Sequence, residues 1–450
     1  MNGVVLQHCD VLVIGAGPAG MAAAVAAATR GAAVVVIDDN PAPGGQIWRD
    51  GPGAVLPPAA HRWREALARH ANIHVRSGTR VVAATMAATA TATATAPREL
   101  LLEDAEGATR MRWNKLVLCT GARELLLPFP GWTLPGVTGA GGLQALVKAG
   151  LPVAGERIVV AGSGPLLLAA AATAHAAGAT VLRIAEQASF ASVARFGVGL
   201  VRWPGKAAQA VALGGMSVGA QGLRYRTGSR IVSAQGTAQV ESVRLRQGGR
   251  EVDIACDRIA CGFGLVPNTQ LGQLLGCALA GPGLSVDALQ ATSVAGIYAA
   301  GECTGFGGSE RALAQGTIAG HAAVGQEREA KAHQRERARW DAFAAQLHRS
   351  FALAPELRQM PGPDTLVCRC EDVPLSALSS CTGWADAKLH RRCGMGACQG
   401  RVCGDAAQFL FGWTPPAPRP PLSPARIATL AALAALPDQG GQGDQGDARQ

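Results

Sequence analysis

Long apolar runs are absent from this sequence. No stretch of 18 or more apolar residues runs free of breakers, which argues against a membrane-spanning helix. Basic blocks interleaved with aromatics are absent too. The net charge of +9 is scattered over 450 residues, so nucleic acid is a poor candidate for a partner. Charged residues are 16% and aromatics 4%, whereas 48% of the chain is apolar. That balance excludes wholesale disorder and supplies a large core. With Ala and Gly abundant, it fits α/β layers packed through small side chains. The opening MNGVVLQHCDVLVIG lacks the basic segment and small-residue cleavage site of a secretory signal. A cytoplasmic location is expected, with peripheral attachment at the inner face of the membrane as the alternative. A redox Cys-x-x-Cys is missing from residues 1–325, where Cys9, Cys119, Cys256, Cys261, Cys277 and Cys303 are all isolated. A disulfide reductase therefore lacks its chemistry. Cys119, in an apolar strand, reads as a small core residue; for Cys303, just after Glu302, approach to a cofactor is the minor reading.

What is present begins with a β-α-β unit. Asp10–Ile14 is an apolar strand, Gly15-Ala-Gly17-Pro-Ala19-Gly20 turns into an Ala-rich helix ending at Gly31, and Ala33–Ile37 is a second strand closing on Asp38. In this order a Gly-x-Gly-x-x-Gly turn marks a dinucleotide site. Gly15 allows the tight turn, Gly17 lets backbone approach a pyrophosphate, and Gly20 lets helix and strand pack closely. The helix N-terminus offers free N–H groups to phosphate, and Asp38 can accept ribose hydroxyls. The bland alternative is a glycine turn without a ligand. Gly44-Gly45-Gln46 after the second strand brings bare backbone to the same place, and, together with what two later segments around Gly121 and Gly301 resemble, it favours FAD over NAD there. Between residues 81 and 97, the run MAATATATATAP reads as a surface hairpin insertion.

A near-copy starts at Arg157, but it is flawed. Its fingerprint is Gly162-Ser-Gly164-Pro-Leu-Leu167, with Leu167 in the third glycine position. Counting seven residues from Gly178, as Asp38 is seven from Gly31, lands on Ala185 and leaves Glu186 one residue late. Successive strand side chains face opposite ways. Tight NAD(P) binding is therefore not expected, and the second site is expected to be empty or to hold ATP or a weakly bound NAD.

Six cysteines crowd between Cys368 and Cys403. Soft thiolates in a reducing compartment select zinc or iron–sulfur clusters. Cys368-Arg-Cys370 is tight for the usual zinc spacing of Cys-x₂₋₄-Cys. Zinc and a group of free thiols are the alternatives to a cluster. Gln326–Leu353 is highly charged, with Trp340, Phe343, Leu347 and Phe351 at helical spacing, and predicts an amphipathic linking helix.

Several segments together resemble known families. LVLCTGAR around Gly121, and Tyr298-Ala-Ala-Gly301-Glu302, resemble FAD-binding segments of the glutathione-reductase-like class over residues 8–325. The usual acid of the second segment is aspartate, so Glu302 is a longer variant. VCRCEDV…GMGACQGRVC resembles the bacterioferritin-associated-ferredoxin type of [2Fe–2S] domain, which implies Cys368, Cys370, Cys398 and Cys403 as ligands. Cys393 is the alternative, and Cys381 is not expected to ligate. The whole set resembles the larger nucleotide-binding subunit of heteromeric opine oxidases, D-hydroxyproline dehydrogenases and hydrogen cyanide synthases.

The resemblance implies an α/β fold with two Rossmann-like, glutathione-reductase-like nucleotide-binding domains plus a small C-terminal helical iron–sulfur domain. The FAD-binding domain is expected over residues 1–128 and 256–325, and the degenerate second domain over 129–255. A linking helix then spans 326–360, the [2Fe–2S] domain 361–413, and a Pro-rich extension with a disordered tail 414–450. Cofactor contacts fall on Gly15, Gly17, Ala19, Gly20, Asp38, Gly45, Gln46, Gly121, Gly301 and Glu302. The implied activity is oxidation of the C–N bond of an opine, hydroxyproline or related amino acid in a partner subunit. That partner would be amino-acid-oxidase-like and FAD-containing, accompanied in some complexes by a small ferredoxin-like subunit. This chain would pass on the electrons. FMN at a subunit interface occurs in related amine oxidases, but no motif here specifies it. The substrate and the terminal electron acceptor are not legible. The rival functions are an NAD(P)H-dependent flavin reductase and a scaffold with a vestigial FAD site.

Overall fold

The computed structural model describes residues 5–85, 98–215, 218–219 and 222–434. No helix among them is long and apolar enough to cross a membrane. The first unit is a seven-stranded sheet in which β1 (Val5–Ile14) lies between β2 (Val34–Ile37) and β6 (Ala108–Leu118), parallel to both. β3 (Ile73–Arg76) extends one edge. β5 (Glu99–Glu103) and β4 (Arg80–Thr85) add an antiparallel hairpin on the other. The low-complexity residues 86–97 expected to form a hairpin tip lie outside the described residues. Ile297–Ala299 pairs with the C-terminal end of β6, bringing the late Gly301 segment beside the first glycine turn.

Helix α1 (Pro18–Ala28) is almost entirely Ala, Gly and Met, and it packs against the helix Ser309–Ala323. The small residues are required there. A Cβ on Gly316 would lie 2.1 Å from the Ala19 carbonyl oxygen, and one on Gly320 would lie 2.2 Å from that of Ala23. Backbones at this distance exclude larger side chains.

The second unit is a five-stranded parallel sheet in the order Tyr225–Arg226, Thr180–Glu186, Arg157–Gly162, Arg258–Gly262 and Val137–Gly139. The sequence placed the return to the first unit at residue 256. The structure keeps Arg258–Gly262 in the second sheet, where its apolar side chains fill that core, so the return falls later. Two short antiparallel strands, Ala122–Glu124 and Leu265–Pro267, carry the chain between the units.

The linking segment breaks at His333 into two helices, Glu327–Ala332 and Gln334–Ser350. Phe343 and Phe351 pack on Phe196 of the second unit, with ring centroids 6.1 and 5.1 Å apart. The cysteine-rich unit follows as a short hairpin, Leu366–Cys368 with Val373–Pro374, and the helices Trp384–Arg391 and Cys403–Phe411. The extension after residue 414 docks back on the first sheet. The Leu422 N–H donates to the Val82 carbonyl, and the Thr429 hydroxyl and the Arg426 N–H donate to Glu103 at 2.6 and 2.8 Å. The expected tail from residue 435 lies outside the described residues.

Candidate functional site

The first glycine turn is built as its sequence requires. Gly15 has φ +103°, and a Cβ there would meet the Cys119 carbonyl oxygen at 2.2 Å. A Cβ on Gly20 would sit 1.7 Å from the Gly15 oxygen. Gly17 differs: its φ of −71° suits any residue, and a Cβ would find only the Gly45 Cα at 3.9 Å. Gly17 is therefore dispensable for the fold, while its bare backbone faces Gly45 across a narrow gap. A Cβ on Gly301 would meet that of Ala19 at 2.7 Å, so the two glycine segments touch at Ala19. A Cβ on Gly121 would meet nothing within 4 Å, so its turn faces open space.

Asp38 is buried, and its Oδ2 accepts the Ala16 N–H at 2.5 Å while Oδ1 accepts from the Asn40 backbone and side-chain amides. Oδ2 keeps an acceptor position for a ribose hydroxyl. Gln46 is exposed and accepts from Arg49 at 2.8 Å. Burial pushes the Glu302 carboxyl up, against the opposing charge of Arg311.

Gln315, which sequence reasoning missed, lies at the centre of this second segment. It is fully buried, and its Oε1 accepts from the Gly301 N–H at 2.9 Å and the Thr304 hydroxyl at 3.1 Å. Its Nε2 has no partner among the described residues. A buried amide left unpaired is costly unless something accepts from it. A lone Gln in the small-residue stretch Ala314–Gly316 was the available signal. The narrow gap at Gly17 and Gly45, the desolvated Glu302 and the orphaned Gln315 donor fit an FAD pyrophosphate and ribityl chain.

The second turn departs from expectation in an instructive way. The strand Thr180–Glu186 carries a bulge at Leu182, between Val181 and Arg183. The extra residue advances the register, so Glu186 pairs with Gly162, the position Asp38 occupies beside Gly15. Glu186 thus points into the turn, and Ala185 does not take the acid's place. The Glu186 carboxylate accepts the Gly164 N–H at 2.8 Å and the Ala188 N–H at 2.8 Å, and burial pushes its carboxyl up. Leu167 is fully buried in the core of this unit, and the helix Leu166–Ala176 starts beyond the glycines. The turn's outer side is covered by the chain itself. Ser163 donates to the Phe351 carbonyl at 3.0 Å, and Gln187 donates to the Ala352 carbonyl at 3.0 Å.

The cysteines converge. The sulfurs of Cys368, Cys393 and Cys403 lie within 4.8 Å of one another, all buried. Thiols of Cys393 and Cys403 donate to Cys368 and hold it far below the ordinary thiol range, as a thiolate. Cys370 forms a second pair with Cys398, whose backbone N–H and thiol face its sulfur. A Cβ on Gly396 would lie 2.3 Å from that of Cys370, and one on Gly394 would strike Trp384, so the GMG turn is glycine because it wraps both. Cys381 sits apart, with its thiol on the Ala377 carbonyl. Five sulfurs are thus offered where the sequence singled out four, and Cys393 lies in the buried triad. A set of five cysteine sulfurs, which would ligate as thiolates, fits an iron–sulfur cluster or zinc. The isolated cysteines of the first 325 residues are buried. The Cys303 thiol bonds the Leu118 and Ala300 carbonyls and is pushed up to about 11 by burial, which makes it inert.

Residues 9–326 match the pyridine nucleotide-disulphide oxidoreductase family. An opine oxidase subunit of Rhizobium meliloti (strain 1021) is 33% identical over 88% of this chain and 90% of its own length. The chain belongs to this family. Hydrogen cyanide synthase subunit HcnB of Pseudomonas aeruginosa is 32% identical over 87% of this chain and 90% of its own. Among solved structures, L-proline dehydrogenase from P. horikoshii shares the fold over 96% of this chain and 81% of its own, with a TM-score of 0.66 at 17% identity. Lactococcus lactis thioredoxin reductase matches 71% of this chain and 99% of its own, with a TM-score of 0.54 at 19% identity. Membership makes the protein an FAD-dependent oxidoreductase, although residues 9–326 carry no dithiol of the kind in the family's name.

Proposed function

We propose that this chain is the electron-transfer subunit of a heteromeric dehydrogenase, taking electrons from C–N bond oxidation carried out in a partner subunit. The opine oxidase and hydrogen cyanide synthase relatives are themselves named as subunits, which supports a multi-chain enzyme. FAD would be held by Gly15, Gly17, Ala19, Gly20, Asp38, Gly45, Gln46, Gly121, Gly301 and Glu302, joined by Gln315. Bound there, it would supply two-electron acceptance and one-electron release. A [2Fe–2S] cluster would draw its ligands from Cys368, Cys370, Cys393, Cys398 and Cys403.

The chain's own work is binding and placement. The N-terminus of α1 would attract the diphosphate, Asp38 and Glu302 would accept from sugar hydroxyls, and Gln315 would donate. The observation that carries this reading is the five-cysteine centre packed against a nucleotide fold that has no dithiol of its own. The partner is expected to be an amino-acid-oxidase-like catalytic subunit. Compatible additions are an FMN at their interface and a small ferredoxin-like subunit.

Glu186 gives the NAD(P)H reductase reading some support, because it restores a carboxylate to the second turn. The Phe351–Ala354 segment over that turn weighs against it. Anaerobic mixing separates the two. Rapid flavin bleaching by NADH or NADPH would favour the reductase. Bleaching only by an amine substrate, and only with the partner co-expressed, is the expected result.

A further inference from the structure

Arg123 follows Gly121 by two residues, on the strand that leaves the candidate flavin cleft. Its guanidinium makes a two-pronged pair with Asp405, at 2.7 Å to Oδ1 and 2.8 Å to Oδ2. The same Nε reaches the Arg401 carbonyl at 3.1 Å, and Nη1 reaches the Asn268 side chain at 3.1 Å. Asn268 in turn bonds the backbone of this strand, its amide donating to the Thr120 carbonyl at 3.0 Å and its N–H to that of Gly121 at 2.9 Å. Arg401 and Asp405 each stand two residues from Cys403, at the start of its helix. One side chain therefore bridges the turn at Gly121 and the turn at Cys403, which are about 280 residues apart in sequence.

The cysteine unit has other anchors, but they lead elsewhere. Trp132 donates to the Leu366 carbonyl at 2.7 Å, and Arg358 donates to the Phe409 carbonyl at 2.9 Å. The Arg369 guanidinium lies 5.0 Å from the Trp132 ring centroid. These fix the unit to the second fold and the linking segment. A further contact, from the Arg401 guanidinium to the Leu422 carbonyl, ties the unit to the extension docked on the first sheet, away from the glycine turns. Arg123 is the contact that acts on the crossing strand itself, next to the turn at Gly121. Arg123 and Asp405 are also well shielded, with 21% and 12% of their side chains exposed, so the pair is shielded from water and salt.

We propose that Arg123 and Asp405 are positioning residues, whose pairing holds the cysteine centre against the crossing strand so that electrons pass between flavin and cluster. The inference rests on the flavin and iron–sulfur assignment above. Neither side chain carries the electron or a proton; the pair fixes a distance.

The test uses the full chain, purified anaerobically with both groups bound. Flavin is reduced by a photoexcited donor in a laser flash, and the later bleaching of the cluster reports internal transfer. Arg123→Met and Asp405→Asn should keep both chromophores and the melting temperature of a folded protein. Internal transfer should slow by about tenfold or more as the docked population falls. The double variant should be no slower than either single one, because each removes the same pair. Arg123→Lys should recover part of the rate. A wild-type rate in variants that retain both chromophores would overturn the proposal. Hydrogen exchange of the backbone amides from 401 to 407 provides a readout that needs no cofactor. Faster exchange in Asp405→Asn supports the docking role, and unchanged exchange overturns it. Absence of iron in the wild type would instead defeat the functional assignment, a distinct failure.

Discussion

Replacing Gly17 with alanine separates cofactor binding from folding. Most fingerprint glycines cannot serve, because they are also packed against backbone. Gly17 has an extended conformation and room for a Cβ, with its nearest neighbour at 3.9 Å. The folded state should therefore tolerate alanine without loss, and Gly→Ala can even add a few tenths of a kcal/mol by restricting the unfolded chain. The same Cβ stands in the gap toward Gly45, where a pyrophosphate must meet bare N–H groups. Losing two charge-assisted hydrogen bonds at ~1.5 kcal/mol each predicts ~3 kcal/mol weaker FAD binding, a factor of about 100. The assay is titration of deflavinated Gly17→Ala protein with FAD by flavin fluorescence, with thermal unfolding in parallel. Normal folding with weak binding is expected. Wild-type affinity would refute the placement of the diphosphate, and a collapsed melting temperature would refute the claim that this position is open.

Other outcomes follow from the same geometry. Gly20→Ala should lower stability by at least about 1–3 kcal/mol, read by denaturant melts, because its Cβ would overlap the Gly15 oxygen at 1.7 Å. Cys368→Ala, Cys393→Ala and Cys403→Ala should each abolish the visible cluster absorption, whereas Cys381→Ala should not. An intact spectrum in Cys393→Ala would return the fourth ligand to Cys398. Glu124 is half-buried on the strand Ala122–Glu124 and accepts the Gly141 and Gly142 N–H groups at 2.9 and 3.3 Å. Burial pushes its carboxyl from 4.5 up to about 6 despite those donors. The folded state therefore holds this proton more tightly than the unfolded chain. Its contribution is full below pH 4.5 and is lost as the pH rises through about 6, a total of about 2 kcal/mol. Glu124→Gln should flatten that part of the stability–pH curve, and an unchanged slope between pH 4.5 and 7 would remove Glu124 as its source.

The first unit was legible because local signals agree there. Strand, glycine turn, Ala-rich helix and Asp38 follow at the spacings that backbone geometry demands. The second turn was misread from the same kind of evidence. Residue counting assumes an unbroken strand, and the Leu182 bulge adds a residue that no local pattern announces. The cysteine centre was legible in composition but not in membership. Cys393 enters the triad through the positive-φ Gly394 turn and the packing of Trp384, both tertiary effects. The cover over the second turn by Phe351–Ala354, the Arg123–Asp405 bridge and the docking of Thr429 on Glu103 join residues more than 150 positions apart. Periodicity and spacing carry no information at that range.

The most direct test of the central claim is flavin and metal analysis of the full chain purified without oxygen. The account predicts one FAD and roughly two iron atoms per chain, with the visible spectrum of a [2Fe–2S] cluster that bleaches on reduction. Stoichiometric zinc with no iron would contradict the electron-transfer role, even if FAD were present in full.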